Sequence, residues 1–340
     1  MARRDLVVVG ASAGGVEALR VLLGTLPPDF PAALLVVLHV PPTGRSALPE
    51  ILDRACPLPV RRAESGAPLR PGTVTVAVPD HHLLVVGDRV MLSRGPRENG
   101  HRPAVDVLFR TAARAAGPRV VAVVLSGALD DGTAGMIAVR ERGGVGVAQD
   151  PEDALYPSMP AHAIEVASAD HVVPVGKMGV LLTDLVTEEV ADGAPAASDL
   201  MDQEAAVAEF DVDALNDDVR PGTPSGFGCP SCHGALFTIT EGGMERYRCR
   251  VGHAWSPEAL AAEQSEALEG ALWMALRGLE ERAALSLRMG ERAQQRGHTH
   301  TARTFRTRHD EAQSAALLIR KLLQHEQLDG GALPDEVGEP

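Results

Sequence analysis

The chain has 340 residues, 45% of them hydrophobic, and a formal net charge of -14. That length holds one sizeable α/β domain plus a smaller module, and the acidity excludes a general nucleic-acid-binding role, because phosphate neutralisation takes a basic surface. No uninterrupted apolar stretch approaches the ~20 residues of a membrane helix, and the run Leu6–Val9 behind Met1-Ala2-Arg3-Arg4 is too short for a secretory signal, so a mature cytoplasmic N-terminus is expected.

Leu6–Val9 predicts a buried strand that breaks at Gly10-Ala11-Ser12-Ala13-Gly14-Gly15, after which Val16, Ala18, Leu19, Val21, Leu22 and Leu23 recur at helical spacing. Ser12 therefore falls at a strand's carboxyl end, where open α/β sheets keep their chemistry, beside the first amides of a helix. The glycines fit neither G-x-G-x-x-G nor G-x-x-x-x-G-K-[ST]. The hydroxyl is then a nucleophile or an anion ligand. Ala32–Leu38 reads as a second buried parallel strand with His39 at its end, and Val40-Pro41-Pro42 forces the chain out of the sheet. Ser46–Arg54 is a short helix. Val74–Val78, His82–Val86 and Arg89–Leu92 are brief β segments, the last two joined at Gly87-Asp88 as a hairpin excursion at one edge of the sheet, with His81 and His82 expected at the surface.

A helix through Ala112–Ala116, capped by Gly117-Pro118, leads to a third apolar strand, Val120–Leu125, and a small-residue turn, Ser126 to Gly135. Three strands thus deliver Ser12, His39 and a carboxylate at Asp130 or Asp131 to one rim. A serine hydroxyl needs a base to take its proton, and a buried carboxylate orients the imidazole and stabilises its cation. The plainer alternative, an Asp-Gly pair that only caps its helix, must be weighed against three such coincidences.

Here the residues resemble a known family, the catalytic domain of the chemotaxis protein-glutamate methylesterases (CheB). Gly-Ala-Ser-Ala-Gly-Gly at 10–15, Leu-His-Val-Pro at 38–41, Arg-Pro-Ala-Val-Asp-Val-Leu-Phe at 102–109 and the Leu-Ser-Gly turn with Asp131-Gly132 stand in the family's order across about residues 5–185. The resemblance implies a catalytic Ser12, His39 and Asp131, an oxyanion site at backbone amides of Ala13, Gly14 or Ala128, a loop with Met159-Pro160 near the site, and no cofactor for catalysis. Ala13 and Ala128-Leu129 depart from the family's frequent Thr and Met-Gly. Members of the family usually carry an N-terminal receiver domain, whereas the first strand here begins near residue 5, so phosphorylation of an attached receiver is not expected to be the switch.

The strand Gly143–Gln149, a helix Ala161–Ala167, the short strand His171–Val173 and a helix Met178–Val186 close this part. From Thr187 an acidic, alanine-spaced stretch predicts a solvated linker with a transient helix around Met201–Phe210. Three of the four cysteines then crowd between positions 229 and 249, with Cys56 apart, which favours a metal site over a disulfide framework. Cys229 and Cys232 form a C-x-x-C knuckle, and Cys249 and His253 complete a set suited to structural zinc, with His233 the weaker alternative. Ser256-Pro257 opens the first of two long amphipathic helices, whose apolar faces pack on each other, the zinc unit or a partner, including self-association.

The expected architecture is α/β: a doubly wound, mostly parallel sheet with an antiparallel hairpin excursion at 1–186, an acidic linker at 187–225, a zinc-ribbon-like unit at 226–255 and a helical hairpin at 256–329. The expected activity is a serine hydrolase that removes methyl esters from glutamyl side chains of chemoreceptors, with glutamine deamidation alongside, in the cytoplasm, without nucleic acid or membrane insertion. The rival is a docking module on the same fold that acts through its C-terminal part. Because every candidate catalytic residue precedes position 132, the first 186 residues are expected to work without the rest.

Overall fold

The computed structural model describes residues 2–44, 46–191, 193–210 and 222–329. The chain divides into two compact units, Met1–Ala261 and Ala262–Pro340. In chain order the first unit holds β1 (Ala2–Arg3), β2 (Leu6–Ala11), α1 (Gly15–Gly24), β3 (Ala33–Leu38), α2 (Leu48–Asp53), β4 (Val60–Arg62), β5 (Thr73–Val76), β6 (His82–Val86), β7 (Arg89–Ser93) and α3 (Val105–Ala116). It continues with β8 (Val120–Val124), α4 (Thr133–Glu141), β9 (Val145–Gln149), α5 (Ser158–Glu165), β10 (His171–Val173), α6 (Val175–Thr187), β11 (Glu189–Val190) and α7 (Asp199–Ala208). Next come β12 (Thr223–Gly228), β13 (Ala235–Glu241), β14 (Met244–Cys249) and β15 (Ala254–Trp255), before the long helices α8 (Pro257–Gln295) and α9 (Thr299–Asp329).

A seven-stranded parallel sheet in the order β10-β9-β8-β2-β3-β5-β4 forms the frame. The run Leu6–Ala11 is apolar at every position because both faces are covered. Leu6 and Val8 pack with Leu108, Met136 and Met159 on one side, whereas Val7 and Val9 pack with Leu19, Leu22, Leu52 and Leu182 on the other. After β2 the chain winds one way through β3 and β5, then returns to lay β8 on the opposite flank of β2. The crevice between β2 and β8 is therefore the switch point at which such sheets bind ligands.

Three expectations are corrected by the structure. The hairpin of β6 and β7 is a separate two-stranded sheet and not an edge of the main one, which ends at β4; Leu83, Val85 and Val90 cover the same face as α3. His82 is buried, because Nε2 donates to Pro96 O at 2.9 Å and Nδ1 accepts from Ala104 N at 3.3 Å, and His81 is half-buried. The expected solvated linker is structured where it is described. Helix α7 is capped by Ser198 Oγ, which accepts from Met201 N at 3.1 Å, and it buries Met201, Glu204 and Ala205. The acidic residues Asp192, Asp211, Asp213, Asp217 and Asp218 lie outside the described residues.

The ribbon is a four-stranded antiparallel sheet, β12-β13-β14-β15, and it belongs to the same compact unit as the parallel sheet. A buried charge cluster explains why. Glu98 accepts from Arg110 at 3.1 Å, Arg246 at 3.0 Å and Arg248 at 3.0 Å. Glu204 of α7 pairs with Arg110, Arg246 and Arg248, and Glu241 of β13 with Arg246. Burial alone would raise the Glu98 carboxyl, but the three guanidinium groups hold it well below the usual carboxylate range. Three cations balance three anions, so no charge is left uncompensated in low dielectric.

The second unit is a helical hairpin in which Leu276, Ala316 and Leu323 are buried, flanked by Leu272, Leu279 and Ile319. Gly297, at φ 76°, makes the turn. Among the described residues no helix is long and apolar enough to cross a membrane.

Arg246→Met should destabilise the first unit by about 3–5 kcal/mol, since it strands buried carboxylates without their partner. A lowered urea midpoint checks this, and a midpoint equal to wild type would contradict it.

Candidate active site and metal centre

Ser12, His39 and Asp131 come together at the C-terminal edges of β2, β3 and β8. The first two strands run in register, with Ala11 opposite Leu38, so the residues after them, Ser12 and His39, emerge side by side. Ser12 Oγ lies 3.1 Å from His39 Nδ1, and His39 Nε2 lies 2.7 Å from Asp131 Oδ2. In the neutral ring, Nε2–H donates to the carboxylate and Nδ1 accepts from the hydroxyl. The side chains of His39 and Asp131 are 7% and 2% exposed, so their contact is shielded from water.

Asp131 is held by more than the imidazole. Its Oδ2 accepts from Val105 N at 2.7 Å and its Oδ1 from Asp106 N at 3.1 Å, the first amides of α3, where a helix favours an anion. Asn99 Nδ2 donates to Oδ1 at 3.3 Å. Burial alone would raise this carboxyl, but the hydrogen bond to His39, its positive charge and the Val105 amide hold it well below the usual range, so it is ionised at neutral pH. Asp130, the other candidate, faces away from this contact and accepts from Ser256 Oγ at 2.7 Å. Burial pushes it up to about 6.

Around the serine, Ser12 N donates to Ser126 O at 3.0 Å. Ser126 Oγ donates to Ala13 O at 2.8 Å and accepts from Tyr156 N at 2.9 Å. Gly14 caps α1 in the left-handed region at φ 71°. Among the described residues the amides of Ala13, Gly14 and Ala128 have no hydrogen-bond acceptor, so they are available to an oxygen anion. Gly127 carries no side chain because a Cβ there would sit 2.0 Å from Met159 Sδ and 2.9 Å from Ser12 Cβ. Met159 and Pro160, expected on a loop, lie instead in the first turn of α5, and that turn flanks the site.

Two neighbours escape a motif reading. His101 stacks on His39 with ring centroids 3.7 Å apart, and burial, followed by the positive charge of His39, pushes it down to about 4. It is neutral at pH 7, a π-face on which an imidazolium can rest. Asn99 is the other, 6% exposed and left-handed at φ 51°. The Asn99-Gly100 pair is a turn signal in sequence, but nothing local says that its side chain reaches the Asp131 carboxylate.

The CheB methylesterase family model matches residues 7–182. The chain belongs to that family. Among its relatives, the protein-glutamate methylesterase/protein-glutamine glutaminase of a Nocardioides species is 45% identical over 179 residues, 51% of this chain and 48% of that protein. The second such protein of Methanosarcina mazei is 38% identical, over 54% of this chain and 52% of its own. A putative member from Leptospira interrogans is 36% identical, over 53% of this chain and 94% of its own. The crystal structure of the Thermotoga maritima CheB methylesterase catalytic domain aligns at a TM-score of 0.52 and 36% identity, and it covers 55% of this chain and all of that one. The chain spans about half the length of the first two relatives, and its ribbon and helical hairpin lie outside the matched region.

The ribbon brings Cys229, Cys232, Cys249 and His253 together with all four ligand atoms within 4.8 Å of one another, a group able to hold a metal ion. Cys232 Sγ lies 3.6 Å from Cys249 Sγ, and His253 Nδ1 lies 3.6 Å from Cys249 Sγ and 3.8 Å from Cys229 Sγ. Two tight loops present the ligands: Cys229 N donates to Gly234 O at 2.8 Å, and Gly252 N to Cys249 O at 3.0 Å. His233, left-handed at φ 61°, is outside the group.

Asp130 has its folded pKa raised from 3.8 to about 6. The native state therefore binds this proton more tightly than the unfolded chain, and the associated stability is complete below about pH 4 and lost as pH rises through 6. Asp130→Asn should remove that loss, so its stability relative to wild type should improve by roughly 3 kcal/mol between pH 4 and 7. Denaturant unfolding at both pH values measures the difference, and an unchanged difference would refute the burial argument.

Proposed function

We propose that this chain is a protein-glutamate methylesterase acting by acyl transfer through Ser12. The observation that carries the reading is the continuous contact Ser12–His39–Asp131 across the ends of adjacent parallel strands. His39 Nδ1 takes the hydroxyl proton as Ser12 Oγ attacks the ester carbonyl, and the amides of Ala13, Gly14 and Ala128 receive the developing oxyanion. The proton passes to the methoxy oxygen and methanol leaves. Water then loses a proton to the same nitrogen and attacks the acyl-enzyme; the bond to Ser12 breaks, the proton returns to Ser12 Oγ, and the glutamyl acid leaves as its carboxylate after losing a proton to solvent. Asp131 stays ionised throughout, fixing the ring and stabilising its cation. A glutamine amide follows the same path with ammonia as leaving group, which agrees with the double names of the relatives. The substrate is a glutamyl methyl ester on a chemoreceptor, as the family's chemistry implies.

The same reading assigns a structural zinc to Cys229, Cys232, Cys249 and His253. Zinc–sulfur bonds of about 2.3 Å and zinc–nitrogen bonds of about 2.0 Å around a tetrahedron put ligand atoms roughly 3.5–3.8 Å apart, which the observed spacings accommodate. All four positions are filled by protein, as in a closed structural site. The sheet it ties is too small to be held by its own core.

Methanol release from a methylated receptor fragment should fall by roughly three to four orders of magnitude in Ser12→Ala and His39→Ala. Turnover unchanged in folded Ser12→Ala would reject the assignment. Elemental analysis of protein purified without added metal should find about one zinc per chain, and a folded, reduced, metal-free ribbon would reject the site.

A further inference from the structure

We infer that the ribbon is a built-in brace for the catalytic aspartate: it grips residues 97–101, and through Asn99 the folded state of the ribbon sets the rate of ester hydrolysis. This rests on the hydrolase reading and adds a regulated positioning residue to it.

Asn99 faces both ways. Its backbone N–H donates to Ala254 O at 2.8 Å, and its Oδ1 accepts from Ser256 N at 2.9 Å; both partners belong to the ribbon's last strand and its exit. Its Nδ2 donates to Asp131 Oδ1 at 3.3 Å and to Asp106 Oδ2 at 3.2 Å. An amide whose acceptor is fixed by the ribbon can aim its donors only where the ribbon permits. The same segment is held at further points, since Ala254 N donates to Arg97 O at 3.2 Å and Glu98 receives Arg246 and Arg248. At its other end His101 stacks on His39.

The catalytic loop is gripped from its other side as well. Ser256 Oγ donates to Asp130, next to Asp131. Leu129, left-handed at φ 61°, packs onto the apolar cluster that contains Cys229, Cys249 and Trp255. The ribbon partners all lie beyond residue 182, where the family match ends, so this chain has added a second support to a common site. A reacting imidazole tolerates little misplacement, because small errors in geometry cost large factors in rate. The expectation that the first 186 residues suffice for hydrolysis is replaced by one in which they lose the brace.

The test uses the full chain and p-nitrophenyl acetate, a small ester that needs no docking surface. Asn99→Ala and Cys249→Ser are made singly and together, with far-UV circular dichroism for overall fold and Trp255 fluorescence, in a Trp273→Phe background, for the ribbon. Each single variant should lower kcat by about tenfold or more while KM stays within about twofold. The double variant should be no slower than the worse single one by more than about twofold, since both cut one line of support. If Asn99→Ala does not fold, Asn99→Gly, which suits the left-handed backbone at φ 51° and also removes the side-chain amide, replaces it with the same pattern expected. A collapsed ribbon signal with wild-type kcat, losses that multiply in the double variant, or turnover that falls only together with the overall fold would each overturn the proposal. Ser12→Ala separates the two readings: wild-type turnover no greater than that of Ser12→Ala sinks the hydrolase and the brace together, whereas an inactive Ser12→Ala beside a fully active Cys249→Ser sinks the brace alone.

Discussion

The constraint on which the rest depends is the burial of Glu98 among three arginines that come from two separate parts of the chain. Arg110 stands on α3, and Arg246 and Arg248 on β14. A carboxylate 1% exposed is sustained only if those cations stay within contact distance, and the arginines in turn need Glu204 and Glu241. The six charges form one neutral body that ties the early sheet, helix α7 and the late ribbon to one another. The residues just after Glu98 inherit its position: Asn99 against Asp131, then His101 against His39.

The reaction centre itself obeys a similar economy of groups. Asp131 is an anion in the interior, and it is tolerated because two helix-start amides, an asparagine amide and the imidazole all donate to it. That arrangement keeps its proton off, as the proposed acyl transfer through an imidazolium at His39 would require. Asp130, one residue earlier, lacks such donors apart from Ser256 Oγ, and its carboxyl is raised instead. Two adjacent carboxyls thus take opposite protonation behaviour from their surroundings alone. The Cys-x-x-Cys knuckle belongs to the same structure, because Cys229 and Cys249 sit in the apolar cluster that touches the turn before Asp130 and Asp131 at Leu129.

Much of the fold was legible in the residues. Uninterrupted apolar runs at Leu6–Val9, Ala32–Leu38 and Val120–Leu125 are buried on both faces, and a parallel sheet is the structure that does this to consecutive strands. Ser12 and His39 were legible for the same reason, each being the first polar group past such a run. The C-x-x-C knuckle was legible because ligand spacing is a local property. The linker was misread because acidic, alanine-rich composition reports what a segment does alone. Glu204 is charged and would be solvated alone, yet it is buried against arginines that lie 42 and 44 residues later and 94 residues earlier in the chain.

Periodicity, turn chemistry and motif order therefore carried the sheet, the rim on which the site stands, the Cys/His cluster able to hold a metal and the family, because each depends on residues close in sequence or on a fixed order of short motifs. Motif order had already pointed to Asp131 over Asp130, and it is Asp131 that contacts His39; the tertiary structure alone decided that His82 is buried, that His101 stacks on the imidazole, and that the ribbon closes on residues 97–101. Those outcomes rest on contacts between elements far apart in the chain. A side chain such as Asn99 shows its use only when the carboxylate, the ribbon strand and the turn that carries it are all in place.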